Sequence, residues 1–400
     1  MTNNRPVVVV GAGPVGLVLA LRLERFGVPV IVLEKNPDIQ NDLRASTFHP
    51  PTLEMLDEFG LTAGLLAAGL ETPTWQIRMH ETGEKAEFDL GVISEDTRYP
   101  FRLQAEQRLL CELATDLIAD IDNIDLRMGH ELTGFDQSDE GATLQVKGPN
   151  GADYDLEAPF LIAADGGRST VRTSLDLKFE GLTYPETTIL ATTTFPFHEH
   201  IEGLSNVNYI WFEGGTFSLL RLPGLWRCSL YAGKDQSIDD ALRPENIEAR
   251  LQTIVPKDTP YEVGEIRPYR IHQRILEDYR VGRILFAGDA AHLNSPSGGM
   301  GMNGGIHDAV NLAEKLMMMD RGEAEDDILD LYDRQRRIIC KDFVQSQSIA
   351  NKKAIEAQDP EAHKKQQEKY MEAATDPKLA LPFLRRTSMI DSVRDSYEIA

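Results

Sequence analysis

An α/β protein with a buried parallel sheet, a second sheet set into it and a helical C-terminal stretch is the fold class predicted by the 400-residue sequence. Three observations predict it. A strand, a glycine turn, a helix and a second strand fill the segment from Val7 to Glu34. Buried-type strands return at Pro159–Ala164 and Arg283–Phe286, and between them lies a stretch rich in Thr, Tyr, Trp and Phe, broken by turn signals.

Each element has its own warrant. Val7-Val8-Val9-Val10 is a continuous β-branched run, the pattern of a strand covered on both faces. Gly11-Ala12-Gly13-Pro14-Val15-Gly16 follows at once. Leu17 to Phe26 then reads as a helix, with Leu17, Ala20, Leu21 and Leu23 on one side and Arg22, Glu24 and Arg25 outside. Gly27 ends it, and Val28–Leu33 is a second buried strand closed by Glu34. Pro50–Leu70 has a helical pattern, Trp75–Leu90 alternates as strands do, and Arg108–Ala119 is helical again. Thr187–Ala232, interrupted at Gly214-Gly215 and Pro223-Gly224, reads as a multi-stranded antiparallel sheet. A helix is expected over Gly301–Met319, with Met317-Met318-Met319 as core. Beyond Leu331 the chain is helical and charged, with Pro360, Pro377 and Pro382 as breakers. The expected organisation is a discontinuous domain over 1–72, 99–178 and 269–340, an inserted sheet domain over 73–98 and 179–268, and a helical segment over 341–400. That last segment is expected to cap the first domain or to dimerise.

Composition narrows the function classes. A formal net charge of −23 repels nucleic acid and anionic membranes, so neither is an expected partner. Three scattered cysteines, Cys111, Cys228 and Cys340, form no CxxC pair, so no metal site or disulfide framework is expected. No run of 18 apolar residues occurs, and no leader-like segment precedes Val7, which together predict a cytoplasmic protein.

The first motif with chemistry is Gly11-x-Gly13-x-x-Gly16. Gly11 makes the tight turn, Gly13 lets the backbone approach a pyrophosphate, and Gly16 lets helix and strand pack closely. Unpaired N–H groups at the helix start, from Val15 onward behind Pro14, face the phosphates. Glu34 is placed to accept hydrogen bonds from an adenosine ribose, with Lys35 beside it. NAD and FAD satisfy this motif equally.

A second motif separates them. Arg283-Ile284-Leu285-Phe286-Ala287-Gly288-Asp289-Ala290-Ala291-His292 is a strand ending in a carboxylate, followed by Pro296, the glycine-rich run Gly298–Gly305 and a long helix. Asp289, after Gly288, can hold ribityl hydroxyls by charge-assisted hydrogen bonds. Gly299, Gly301, Met302 and Asn303 open a helix whose N–H groups suit a flavin pyrimidine edge. These residues resemble the GD motif of the class A flavoprotein monooxygenases, the p-hydroxybenzoate hydroxylase fold. Asp165-Gly166-Gly167-Arg168-Ser169-Thr170-Val171-Arg172 resembles the DG motif of the same family. The resemblance spans about residues 5 to 340.

The resemblance implies a Rossmann-like FAD-binding domain with an inserted antiparallel-sheet substrate domain and a C-terminal helical segment. It also implies FAD as cofactor, NADH or NADPH and O2 as co-substrates, and a small aromatic substrate, phenolic or N-heterocyclic. Arg44 matches the family arginine that contacts cofactor phosphates. Gln104 and Gln107, in Phe101-Arg102-Leu103-Gln104-Ala105-Glu106-Gln107, both fall where the family places a glutamine against the cofactor. Asp165 supports the cofactor, largely indirectly, and Pro296 lies beside the isoalloxazine ring. Because the cofactor carries the hard step, the protein has to orient the ring, exclude water and help remove a proton. Candidates for that role are His49, Tyr209 and Arg221, each with a plain alternative: a structural histidine, core packing and an ordinary ion pair. His292 is structural or cofactor-proximal. The motifs leave a same-fold epoxidase, halogenase or C=C reductase open, and also a non-catalytic flavin sensor. Monomer and homodimer are both compatible.

Overall fold

The computed structural model describes residues 5–40, 45–212, 215–232, 236–296, 298–346 and 360–400. Arg44 therefore lies outside the described residues. Four strands at the middle of the first sheet are parallel. Val7–Val10 pairs on one side with Val30–Glu34 and on the other with Leu161–Ala163, which pairs in turn with Ile284–Phe286. Ile124–Met128 extends the sheet beyond Val30–Glu34, and the short Arg280–Val281 strand closes the other edge antiparallel. Val7, Val8 and Val9 are fully buried, so the β-branched run is covered from both faces. Helices Pro14–Arg25 and Met300–Asp320 pack against each other within the same core. A three-stranded meander, Glu131–Ser138, Gly141–Lys147 and Asp153–Ala158, joins that core.

The second sheet has eight strands. Its order is His292–Leu293, Val263–Leu276, Phe179–Thr193, Leu225–Tyr231, Gly215–Leu222, Val207–Phe212, Thr74–Met79 and Lys85–Asp89. It is antiparallel at every pairing but one, because Val207–Phe212 runs parallel to Thr74–Met79. That exception follows from the excursion of residues 90–178 through the other sheets: the chain returns to the eight-stranded sheet from the opposite end. A small third sheet is formed by Thr47–Phe48, Arg102–Gln104 and Leu70–Thr72. It joins segments from the two sides of the insertion.

Several local expectations change. Pro50–Leu70 is two helices, Pro50–Asp57 and Leu61–Ala68, because Gly60 adopts a left-handed φ of 75° and ends the first. Pro360 and Pro377 open helices (Pro360–Thr375 and Pro377–Thr387), where the missing N–H costs nothing. Pro382 sits inside the latter helix and does not break it. Met317, Met318 and Met319 are only half-buried. The C-terminal segment does more than cap the first domain. Ala380, Leu384 and Ile390 pack with Trp75, Phe88 and Leu90 at the edge of the eight-stranded sheet, whereas Tyr397 donates to Glu314 at 2.8 Å. Among the described residues, no helix is long and apolar enough to cross a membrane.

Candidate active site

The glycine turn is tight in the places where its spacing demands it. A Cβ on Gly16 would lie 1.9 Å from the Gly11 carbonyl oxygen, and one on Gly11 (φ 110°) would lie 2.4 Å from that of Ala164. At Gly13 a Cβ would meet no protein atom within 4 Å. The protein itself therefore does not need glycine at Gly13; the open space beside it is what a pyrophosphate would fill. Gly13 leads into Pro14, the first helical residue, with Val15 behind it. The Glu34 carboxylate accepts from the Ala12 N–H at 3.0 Å and from the Asn36 N–H at 3.0 Å, which locks strand end and turn together. Lys35 is exposed.

The three motifs meet. Cβ atoms on Gly288 and Gly305 would lie 2.8 Å and 2.7 Å from the Val15 side chain, so the second motif docks directly on the first. Asp289 is half-buried in the single helical turn Gly288–Ala290. From the third motif, Arg172 donates to the Ala290 carbonyl at 2.9 Å and to that of Gly167 at 2.6 Å. Asp165 accepts from the Thr170 N–H at 2.7 Å, capping the Thr170–Ser174 helix. Burial pushes its carboxyl above the usual range, against the pull of those N–H groups, and its Oδ1 is buried without a partner. Open space at Gly13 and at Gly301, together with the orphaned Asp165 oxygen, gives the site the form that FAD requires.

Behind the second motif lies a buried ion cluster. Asp308 accepts from the Gly288 N–H at 3.0 Å, from His292 Nε2 at 2.8 Å and from Arg336 Nε at 2.7 Å. Burial opposes charge on His292, yet Cys340 and the Asp308 carboxylate hold its pKa well above the ordinary histidine range. Of the two readings of His292, the structural one describes these contacts.

In the small sheet, Thr47 stands opposite Gln104 and Phe48 opposite Leu103, and Arg102 lies close enough to His49 for its charge to act on it. Thr47 and Gln104 exchange side-chain hydrogen bonds near 3.1 Å, and both are buried. Gln107 is the half-buried first residue of the following helix, so the two glutamines occupy different settings. The Gly298-Gly299 turn and the first turn of the Met300–Asp320 helix are fastened to this strand. Asn303 accepts from the His49 N–H at 2.9 Å and donates to the Thr47 carbonyl at 2.8 Å, while a Cβ on Gly299 (φ 69°) would press on Thr47 at 2.9 Å. Met302 is buried, whereas Pro296 is exposed. His49 is fully buried, and its Nε2 faces the Gly298 carbonyl at 2.8 Å. A carbonyl only accepts, so Nε2 carries the proton and Nδ1 is left as an acceptor without a partner. Burial and the nearby Arg102 charge lower its pKa to about 3, so it is neutral at physiological pH.

Tyr209 and Arg221, read together from sequence, are separated by the sheet. Tyr209 pairs with Ser218 and lies on the face of Trp75 and Leu220. Arg221 follows the opposite parity, next to Asn206, whose side-chain oxygen lies 3.5 Å from its Nη1. Arg221 is thus not brought together with Tyr209. Arg102 is: its guanidinium lies within hydrogen-bond reach of Tyr209 and 4.6 Å from the centre of the Trp75 ring. Sequence reasoning did not weigh Arg102, though strand alternation puts it on the face of Gln104 two residues away. Asp308 and Arg336 were likewise missed, since nothing local marks a helix acid as the partner of a distant arginine.

Among the described residues, no cluster of three or more His, Cys, Asp or Glu could hold a metal ion. Cys111, Cys228 and Cys340 are free and buried, and burial pushes the Cys111 thiol up to about 12.

Comparison with known proteins agrees with this geometry. Residues 4–347 match the family model described as an FAD binding domain. The chain is 35% identical over 384 residues to para-nitrophenol 4-monooxygenase of Pseudomonas sp. strain WBC-3, covering 94% of each. It is 30% identical over 365 residues to 6-hydroxy-3-succinoylpyridine 3-monooxygenase of Pseudomonas putida, covering 90% of this chain and 91% of that one. The crystal structure of p-nitrophenol 4-monooxygenase from Pseudomonas putida DLL-E4 superposes with a TM-score of 0.90 at 32% identity, over 97% of this chain and 98% of that one. The chain belongs to the FAD binding domain family and, within it, to the FAD-dependent aromatic monooxygenases of class A.

Proposed function

We propose that this aromatic hydroxylase takes electrons from NADH or NADPH and acts on a phenolic or N-heterocyclic ring held against the face formed by His49, Arg102 and Tyr209. One observation carries the reading. The Gly298–Asn303 segment, suited to a flavin pyrimidine edge, is bonded to Thr47 and His49, and Arg102 lies near His49 with Tyr209 in reach of its guanidinium. The dinucleotide would lie along Gly11, Gly13, Pro14, Val15, Gly16 and Glu34, and the ribityl chain by Gly288 and Asp289. Gln104, Asp165, Gly299, Gly301, Met302 and Asn303 would complete the cradle. When bound, FAD supplies the redox chemistry and, with O2, the oxidant. The residues of the chain supply the rest. Asn303 and Gly298 fix the loop to His49, and neutral His49 orients rather than carries protons. Tyr209 and Arg102 address a ring oxygen. The three buried free thiols fit a reducing compartment, the cytoplasm.

The test uses FAD-loaded protein and a panel of phenols and hydroxylated N-heterocycles. NAD(P)H oxidation accelerated by one compound, with little H2O2 and a product heavier by one oxygen, is the expected result. Product without added oxygen would move the enzyme to the reductases of the fold, and cofactor bound without stimulated oxidation would move it to the sensors.

A further inference from the structure

None of the three cofactor motifs draws on the C-terminal segment, yet one of its residues reaches them. The helices Pro377–Thr387 and Ile390–Glu398 meet at Met389, whose backbone lies in the left-handed region at φ 64°. A Cβ disfavours that conformation, and helix junctions of this kind ordinarily take glycine or asparagine. Among the described residues, Asp176 is the other non-glycine residue with a positive φ; it is exposed, and aspartate tolerates the conformation. Met389 is instead 2% exposed. Its side chain is therefore kept for a contact and not for the turn.

That contact is with the glycine-rich run. Met389 and Met300 form a buried apolar pair separate from the larger cores. Met300 is the first residue of the Met300–Asp320 helix, directly after Gly298-Gly299. The Met300 Cε would lie 3.4 Å from a Cβ on Gly298, and the Met389 Cε 3.9 Å from one on Gly304. The pair thus rests on the glycine run at both ends. The junction behind it is itself held. The Met389 N–H donates to the Arg386 carbonyl at 3.1 Å, and Ser392 Oγ donates to the Met389 carbonyl at 2.8 Å. Leu384 is buried on one side of the junction, and on the other Gln335 Nε2 donates to the Ile399 carbonyl at 3.0 Å. An unbranched thioether suits such a gap between two separately anchored elements.

We propose that Met389 is a positioning residue for FAD: through Met300 it holds the segment 298–304 in its binding conformation, so that the C-terminal segment completes the cofactor site. The inference needs FAD binding alone and is independent of which ring the enzyme hydroxylates. Coupling between two sites is reciprocal. If the tail steadies the glycine run for FAD, FAD must steady the tail.

The experiment has a wild-type arm and a variant arm. In the first, amide hydrogen exchange is followed over residues 384–396 of the full chain, with and without saturating FAD. The Pro244–Ile254 helix, which packs in a separate core, is the control for global stabilisation. FAD is expected to slow exchange in the junction more than in the control helix; equal slowing overturns the proposal. In the second arm, FAD Kd is measured on holoprotein by the recovery of FAD fluorescence on dilution. Met389→Gly suits the backbone and removes the contact, and should weaken FAD binding roughly tenfold, equivalent to about 1.4 kcal/mol. Met389→Leu conserves the volume and should stay within about twofold of wild type. A merely structural methionine would change thermal stability and leave FAD Kd unmoved, so a Met389→Gly protein with wild-type FAD Kd also overturns the proposal. The exchange arm uses no variant, so a glycine protein that does not fold gives the proposal no shelter.

Discussion

At the scale of single residues, Gly13 and Gly16 show how one motif carries two different requirements. A side chain on Gly16 would collide with the Gly11 carbonyl oxygen, rigid backbone only 1.9 Å from its Cβ, so that position is demanded by packing. A side chain on Gly13 would enter open space, so that position is demanded by the ligand. Gly13 also has an ordinary extended backbone, φ −77°, which any residue adopts. Gly13→Val is therefore expected to fold with near wild-type thermal stability as apoprotein and to be recovered colourless, whereas Gly16→Val is expected not to accumulate as folded protein. Flavin absorbance and thermal unfolding of the two purified variants decide it; a fully yellow Gly13→Val protein removes that residue from the phosphate site. This much was legible because each glycine's task is set within a few residues of it. Arg102 was not, because Tyr209 and Trp75 reach it only once the sheets are assembled.

Among the elements, the Met300–Asp320 helix does the most to connect the site to the rest of the molecule. Its polar residues Asn303, His307, Asn311 and Lys315, each four apart, are buried along one stripe. His307 meets Thr52 at 3.0 Å, Asn311 meets Gln335 at 2.9 Å, and Lys315 lies over the Tyr397 ring. Asp308, just off that stripe, pairs with both His292 and Arg336. Asp308→Asn keeps the volume and leaves buried charge uncompensated, so a loss of about 3–5 kcal/mol in unfolding free energy is expected from denaturant titration. pH gives the second readout. Since the folded pKa of His292 is raised, its contribution is complete below about 6.5 and is lost as pH rises through the raised value. Wild-type stability should fall on the alkaline side more steeply than that of Asp308→Asn; parallel curves would show that the pair carries no such linkage. The helix was readable from the sequence as an element, yet its buried polar stripe was not, because a residue's partner cannot be inferred from helical spacing alone. The same limit explains the single helix expected over Pro50–Leu70: apolar spacing continued across Gly60, but the backbone did not.

Across the whole molecule, the C-terminal segment joins the two sheets' surroundings, and two interactions compete as the reason it stays there. One is ionic: Arg385 and Arg394 both reach Asp96, at 2.7 Å and 2.9 Å. The other is apolar: Leu384, 1% exposed, and Ala380 pack with Trp75, Phe88, Leu90 and Ile93, and the tilted Phe383 ring lies 4.7 Å from that of Phe88. Magnitudes separate them. The arginine side chains are 35% and 51% exposed, so solvent screening and side-chain entropy leave little net stabilisation in either ion pair. Truncating a fully buried leucine costs about 2–5 kcal/mol, the lost transfer energy plus the cavity left behind. The apolar seam wins. Leu384→Ala is expected to lower the unfolding free energy by about 2–5 kcal/mol, and Arg394→Ala by under about 1 kcal/mol. Charge patterning made the segment legible as a helical tail, but its attachment was not, since Trp75 and Leu384 are far apart in sequence and their periodicities are independent. Equal effects of the two substitutions on stability would mean that the ion pairs, not the packing, hold the tail.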